Sequence, residues 1–380
     1  MKIALVHSKY TIKGGMERYL VRFSRFLVDE GHEVHVFASS WDKDVDNRIV
    51  FHEISNTGKA LGIEQYTFAK NAYKEVNKHS FDIIQTFSRV GFGDVIRIGA
   101  GCHEVYKERL LKNIDSPVKQ FFKKVEYRLS IKDYLTRYLE KQDFKKGNYK
   151  KIVAVSSMVK TEILQKYQVP EEDIIVNHNG VDIKMFNPEN HKRYRQQIRN
   201  KHGIKDDEIL LLFVGSGFER KGLKYIIKAL DGINKKVKLM VIGRGNINKF
   251  KLLAEQNKVE DRVIFIGFTS EINNYYSAGD IFVFPSIYDP CANVTLEAMA
   301  SALPIITTVN NGASGLVKHG ENGFILDNSG EVVNIRLYIK QLMDREKRKR
   351  MGVVARNTIL NHTEKINHRR MIKIYHTLLN

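Results

Sequence analysis

The chain has 380 residues, 43% of them hydrophobic, and a formal net charge of +19. At roughly 100–200 residues per domain the length favours two domains, and the apolar content is enough for packed cores, which excludes wholesale disorder. The charge calls for a polyanionic partner, whether nucleic acid, an anionic membrane face or a phosphorylated substrate, and does not choose among them.

The apolar run 3–6 is too short for a signal-peptide core and reads as a first buried strand. Gly14-Gly15 follows, then a helix on which Met16, Leu20, Phe23 and Leu27 recur at helical spacing, with Gly31 placed to end it. Residues 34–38 and 81–86 are the next strands. The helix between them is expected to put Tyr66, Ala69, Tyr73 and Val76 on one face. Strands alternating with amphipathic helices imply a parallel sheet covered on both faces.

Residues 107–151 break the rhythm, with fourteen Lys or Arg against six Asp or Glu. Leu110, Leu111, Phe121, Phe122, Tyr127, Leu129, Tyr134 and Tyr138 are interleaved with them, and Pro117 is expected to separate two helices. Basic residues mixed with large apolar ones suit either an interfacial helix on anionic lipid or a solvated helical hairpin over the core. The α/β rhythm resumes at 151–155, with a helix at 158–167 and a strand at 174–176. Asn179-Gly180-Val181-Asp182 reads as a turn at the domain junction. A second strand and helix series then runs through strands at 209–214, 238–242, 263–266, 281–284 and 304–307. No stretch of about 18 apolar residues occurs, so no membrane span is expected. Cys102 and Cys291 form neither a disulfide framework nor a zinc set and fit a reducing cytosol.

Three segments could carry chemistry. Gly14-Gly15, between a strand and a helix, would let a ligand approach the backbone and the helix amides, although a plain tight turn reads the same way. In Ser216-Gly217-Phe218-Glu219-Arg220-Lys221-Gly222, Arg220 and Lys221 could hold a diphosphate or simply make a basic surface. The third runs from Pro285 to Ala300. A loop carries Asp289, a helix begins near Ala292, and Glu297 falls in its second turn. Two carboxylates eight positions apart thus bracket a helix N-terminus that can hold phosphate or sugar oxygens. The alternative is a turn residue and a solvated face. Asp42-Lys43-Asp44 and Asp44-Val45-Asp46 have the form of a metal-binding D-x-D but sit in a polar stretch and read as a solvated loop.

These pieces together resemble the retaining glycosyltransferases of the GT-B fold, in the E-x7-E family that contains the lipopolysaccharide inner-core glucosyltransferases. The chain supplies Asp289-x7-Glu297, then Ala298-Met299-Ala300 and Leu303-Pro304-Ile305-Ile306. Gly14-Gly15-Met16-Glu17-Arg18, Asn179-Gly180-Val181-Asp182, Arg220-Lys221-Gly222, Gly320-Glu321-Asn322-Gly323 and Met351-Gly352 stand in family order. The resemblance implies two Rossmann-like α/β domains with parallel sheets facing across a cleft. They are an acceptor-side domain at 1–180 with the basic insertion 107–151, a nucleotide-sugar domain at 181–363, and a helix at 364–380 returning to the first.

It also implies roles. Glu297 would bind the donor ribose and Asp289 the donor sugar. Cys291, Ala292, Asn293, Val294 and Thr295 would offer amides, and Arg220 and Lys221 would neutralise the diphosphate. Gly14 and Gly15 would let the diphosphate lie close, and His103 would face the donor. Catalysis is assigned to Asp289, His103, Lys221 and Arg220. No metal and no cofactor is expected beyond the nucleoside diphosphate sugar, with UDP the first guess. The base would be read around Arg244 and residues 266–269. The implied partners are a lipid-linked or phosphorylated glycan acceptor and an anionic membrane surface, without nucleic acid, at the inner face of the cytoplasmic membrane. Two departures bear on substrate choice: Asp289 replaces the first Glu of the motif, and Ser314 stands where the family often has Glu. A GT-B UDP-sugar epimerase, a basic nucleic-acid-binding protein and a nucleotide sensor without turnover are the rival readings.

Overall fold

The computed structural model describes residues 1–42, 45–114 and 116–379. They form two compact units, residues 1–177 with 368–380, and residues 178–367. The junction turn Asn179-Gly180-Val181-Asp182 therefore lies inside the second unit, where Val181 bridges to Thr363.

The first unit is built on seven strands in the spatial order Val50–Glu53, Glu33–Ala38, Lys2–Val6, Ile83–Thr86, Val95–Ile98, Lys151–Ala154 and Ile174–Val176. Every pairing is parallel. Alternation along Lys2–Val6 divides two cores, because successive side chains leave a strand on opposite faces. Ile3 and Leu5 pack with Leu20, Phe23 and Leu27 of helix Gly15–Asp29. Ala4 and Val6 pack with Phe68, Ala69, Ala72 and Val76 of helix Glu64–Val76. The last helix, Glu364–Leu379, sends Met371, Ile374 and Tyr375 into the first of these cores, where the Tyr375 hydroxyl meets Gln85.

Helix Glu64–Val76 buries Ala69 and Val76 of the expected face together with Phe68 and Ala72, and leaves the two tyrosines of that face outside. Tyr66 and Tyr73 are exposed and pair at the surface with Tyr138 and Phe92. The small residues Ala69 and Ala72 allow close approach to the sheet, and the tyrosines keep their hydroxyl ends near water.

The described residues of 107–151 carry helices His103–Lys112, Pro117–Leu129 and Ile131–Asp143, and a loop then leads to strand Lys151–Ala154. Pro117 opens the second, where its missing N–H costs nothing, and Ser116 caps it through Lys119 N–H. Ser130 ends that helix and caps the third through Asp133 N–H at 3.1 Å. No described residue of Pro117–Leu129 is fully buried.

The second unit has six parallel strands in the order Val263–Gly267, Val237–Ile242, Ile209–Val214, Ile281–Phe284, Ile305–Thr308 and Gly323–Leu326. The central strands are apolar throughout, as expected of a sheet covered on both faces. No helix of the described residues is long and apolar enough to cross a membrane.

Candidate functional site

In the second unit the chain runs outward from Ile209–Val214 to Val263–Gly267, then returns to the other side of Ile209–Val214 with Ile281–Phe284. The carboxyl ends of these two neighbouring strands therefore flank a topological switch point, the usual ligand crevice of an open α/β sheet. The loops carrying Arg220-Lys221 and Asp289 leave from those two ends.

The loops are stitched together. Gly222 has φ 81°, and a Cβ there would run into the Pro285 carbonyl, so only glycine lets the first loop lie on the start of the second. Ile287 N–H donates to the Arg220 carbonyl at 2.8 Å, and Arg220 Nη1 donates to the Tyr288 carbonyl at 2.7 Å. Lys221 Nζ meets Asp289 Oδ2 in a close ion pair, and Arg220 Nη1 stands 3.6 Å from the same oxygen. Burial lowers the pKa of the Lys221 ammonium, and the Asp289 carboxylate beside it opposes that shift. Two cations thus converge on one carboxylate, a local surplus of positive charge suited to a second anion.

Helix Asn293–Ala300 begins directly after this loop, with Ala292 at its N-cap position and no side chain capping it there. Not every amide expected to meet a ligand is available. Ala292 N–H donates to Asn311 Oδ1 at 3.2 Å, and Thr295 N–H donates to the Ala292 carbonyl at 3.0 Å. This corrects the expectation for Ala292 and Thr295, whose amides hold the loop in shape. Asn293 and Val294 occupy the first turn, where amides have no partner within the helix. Asn179 Nδ2 donates to Asn293 Oδ1 at 2.7 Å and to the Cys291 carbonyl at 3.3 Å, so the junction turn braces the same loop.

Glu297 is buried at 7% exposure, and its Oε2 accepts from the Tyr276 hydroxyl at 2.9 Å. Tyr276 also donates to the Val294 carbonyl at 3.1 Å, which fixes the carboxylate relative to the helix start. Asn311 is fully buried. Its Nδ2 donates to Thr295 and Thr307, while its Oδ1 accepts from the amides of Ala292 and Ala313. Ser314 follows in the short helix Gly312–Leu316, its N–H bonded to the Asn311 carbonyl at 2.7 Å. Near the end of Val263–Gly267, the Arg244 guanidinium lies 4.3 Å from the centre of the Phe268 ring, and Phe268 is 65% exposed.

Tyr276 and Asn311 were not singled out from the sequence. Asn310-Asn311-Gly312 carries an ordinary turn signal, but nothing in it announces four buried hydrogen bonds. Tyr276 comes from a separate helix, Ile272–Ala278, and meets Glu297 across 21 positions of sequence.

The first unit places Gly14, with φ 125°, before helix Gly15–Asp29. An open cavity of about 980 Å³ there is lined by His7, Glu17, Ser88, Arg89 and Lys132, among others. His7 Nδ1 lies 2.8 Å from Ser88 Oγ, and its Nε2 lies 3.9 Å from Glu17, whose carboxyl it holds below the usual range. His103 is tied down in the same unit. Its N–H donates to the buried Glu140, its Nε2 bonds Asp133 at 2.8 Å, and burial lowers the imidazole pKa. Of the acidic stretch 42–46, Lys43 and Asp44 lie outside the described residues. Asp42 accepts from Thr11, and Asp46 is held down to about 2 by hydrogen bonds from Arg48.

Two family models match the chain, "Glycosyltransferase Family 4" over residues 13–184 and "Glycosyl transferases group 1" over residues 194–358. A lipopolysaccharide glucosyltransferase, WaaG of Escherichia coli K12, is 26% identical over 333 residues, covering 86% of this chain and 85% of its own length. A crystal structure of WaaG superposes with a TM-score of 0.83 at 21% identity, covering 98% of this chain and 99% of that one. HepE of Anabaena, solved with UDP, superposes with a TM-score of 0.73 at 18% identity, covering 99% of this chain and 100% of that one.

Proposed function

We propose that this chain, which belongs to the glycosyltransferases of the GT-B fold, moves a hexose from a UDP-sugar to a lipid-linked, phosphorylated glycan with retention at the anomeric carbon. The observation that carries the proposal is the convergence of Arg220, Lys221 and Asp289 at the switch point, next to the start of helix Asn293–Ala300 and to Glu297. The presence of UDP in the HepE structure supports the choice of nucleotide.

Glu297, oriented by Tyr276, accepts from the ribose hydroxyls, and Asp289 accepts from hydroxyls of the sugar. The diphosphate takes the place beside Arg220 and Lys221, with the amides of Asn293 and Val294 at the start of the helix. The exposed Phe268, with Arg244 above it, gives the base a stacking surface. His103, with its Nε2–H directed to Asp133, keeps Nδ1 as an acceptor for a donor hydroxyl.

In the reaction an acceptor hydroxyl oxygen attacks the anomeric carbon from the face the phosphate leaves. The bond from that carbon to the phosphate oxygen breaks, the electron pair stays on the phosphate, and the departing oxygen takes the acceptor proton. Arg220, Lys221 and the helix amides stabilise the negative charge that develops, which is commonly the largest catalytic contribution. The residues assigned to the diphosphate are cationic, so the reaction is written without a metal.

The acceptor side is proposed at the inner face of the cytoplasmic membrane. Val118, Phe121, Phe122, Leu129, Ile131 and Tyr134 are each at least 60% exposed, amid a surplus of Lys and Arg. Such a face suits anionic lipid and an acceptor that carries phosphate.

The test is binding and turnover across a panel of nucleotide sugars, with and without lipid-linked acceptors, comparing wild type with Glu297→Ala. One UDP-sugar that binds and turns over, is lost in the variant, and gives a product whose anomeric signal by NMR matches the donor supports the proposal. An inverted product overturns retention. Interconversion of the sugar without acceptor would establish an epimerase instead.

A further inference from the structure

Away from the switch point, the edge of the first unit gathers histidines that the transfer reaction does not use. Among the described residues, strand Val50–Glu53 lies at the edge of the sheet and pairs with Glu33–Ala38 alone. It carries His52. Glu75 lies in the last turn of helix Glu64–Val76, and His79 in the turn that follows. One nitrogen from each histidine and one Glu75 oxygen lie within 4.8 Å of one another, and the two imidazole rings are 4.9 Å apart.

Behind His52 stands an ordered relay. Glu33 Oε1 lies 2.8 Å from His35 Nε2, and His35 Nδ1 lies 2.8 Å from His52 Nε2. Lys2 shares the same Glu33 oxygen at 3.3 Å. An ionised carboxylate only accepts, so His35 Nε2 carries the proton. With both rings neutral, His35 Nδ1 is then an acceptor and His52 Nε2–H is its donor. The proton of His52 is thereby assigned to Nε2, and its Nδ1 keeps a lone pair. A carboxylate and a second ring that fix the tautomer of a histidine are the usual outer partners of a metal ligand. Phe37 stacks on His52 at 4.3 Å between centroids and holds the ring plane.

We propose that His52, Glu75 and His79 bind one divalent transition-metal ion of the Zn²⁺ class, oriented by His35 and Glu33. Two imidazoles and a carboxylate are a ligand set for Zn²⁺, with a fourth position for water. Ligation at about 2.0–2.1 Å puts tetrahedral ligand atoms roughly 3.4 Å apart, so the three groups must draw together by about an ångström. Glu75 and His79 have side chains 31% and 36% exposed and can make that movement. Lys78, now 2.7 Å from Glu75 Oε2, would be displaced; it is 65% exposed and in a surface pair of little strength. The ion would clamp the end of helix Glu64–Val76 to the sheet edge, and it takes no part in the transfer chemistry.

The test uses the full chain without an affinity tag, stripped with chelator. ZnCl₂ is titrated by calorimetry, and Co²⁺ by visible absorption. The expected result is one saturable equivalent and a rise in the thermal midpoint. Both should be lost, with affinity down at least about tenfold, in the double variant His79→Ala, Glu75→Gln. Glu33→Ala should weaken binding by about tenfold through the relay. The exposed His376→Ala should leave it unchanged. No saturable equivalent, or one that survives the double substitution, overturns the site. An unchanged affinity in Glu33→Ala overturns the tautomer assignment on which its geometry is argued.

Discussion

Asp289 forms an ion pair with Lys221, although the two residues are proposed to meet different parts of the donor. A bound diphosphate must share the cations with that carboxylate. Asp289→Ala is therefore expected to bind UDP at least as tightly as wild type while losing transfer by about 100-fold or more, the scale of removing one preorganised transition-state contact. Calorimetry with UDP and a steady-state assay separate the two effects. Tyr276→Phe should weaken donor binding by roughly tenfold, since a hydrogen bond to a charged group contributes about 1.5–3 kcal/mol. An unchanged Kd would mean that Glu297 needs no anchor.

A buried carboxyl in the first unit makes a prediction in pH. Burial pushes Asp143 up to about 7, while N–H groups of Gly91 and Val90 oppose the shift. Its folded pKa lies above the unfolded value, so the stability it contributes is full below about pH 4 and is lost as pH rises through about 7. Both amides donate to the same oxygen, which asparagine retains. Asp143→Asn should match wild type near pH 4 and be more stable by a few kcal/mol, as an order of magnitude, above pH 7. Denaturant midpoints between pH 4 and 8 read this directly.

At the scale of elements, two loops make the donor region, and a single glycine sets their spacing. Gly222→Ala combines a left-handed φ with a Cβ against the Pro285 carbonyl. It should cost about 2 kcal/mol or more, measured by chemical denaturation, and loosen donor binding with it. Helix Pro117–Leu129 presents the opposite case. Phe121 and Phe122 are 64% and 65% exposed, so replacing both with Ser should shift stability by no more than about 0.5 kcal/mol. Sedimentation with vesicles of anionic lipid should fall severalfold in the same variant. If vesicle binding is unchanged, the aromatic face is not what meets the lipid.

For the whole molecule, the surplus of +19 acts over a Debye length of about 8 Å at physiological ionic strength. Binding to anionic vesicles should weaken steeply between low and high salt, and neutral vesicles should bind less at every salt concentration. Equal binding to neutral lipid would remove the electrostatic part of the membrane proposal, and tight binding to DNA at physiological salt would return nucleic acid to consideration.

The sequence by itself determined the parallel α/β class, the doubling of the unit, and the segments holding Arg220, Lys221, Asp289 and Glu297. All of these are local signals: apolar runs of strand length, helical periodicity, and short motifs whose residues stay close together. It did not determine that Tyr66 and Tyr73 of helix Glu64–Val76 stay outside while Ala69 and Val76 go inward, because aromatic spacing on a helix does not report the depth of the sheet beneath. Nor could it pair Tyr276 with Glu297, give Asn311 its four buried hydrogen bonds, commit the amides of Ala292 and Thr295, or align Glu33, His35 and His52. Those contacts join residues from different strands, helices and loops, and only the packing of the sheets brings their polar atoms within hydrogen-bonding distance.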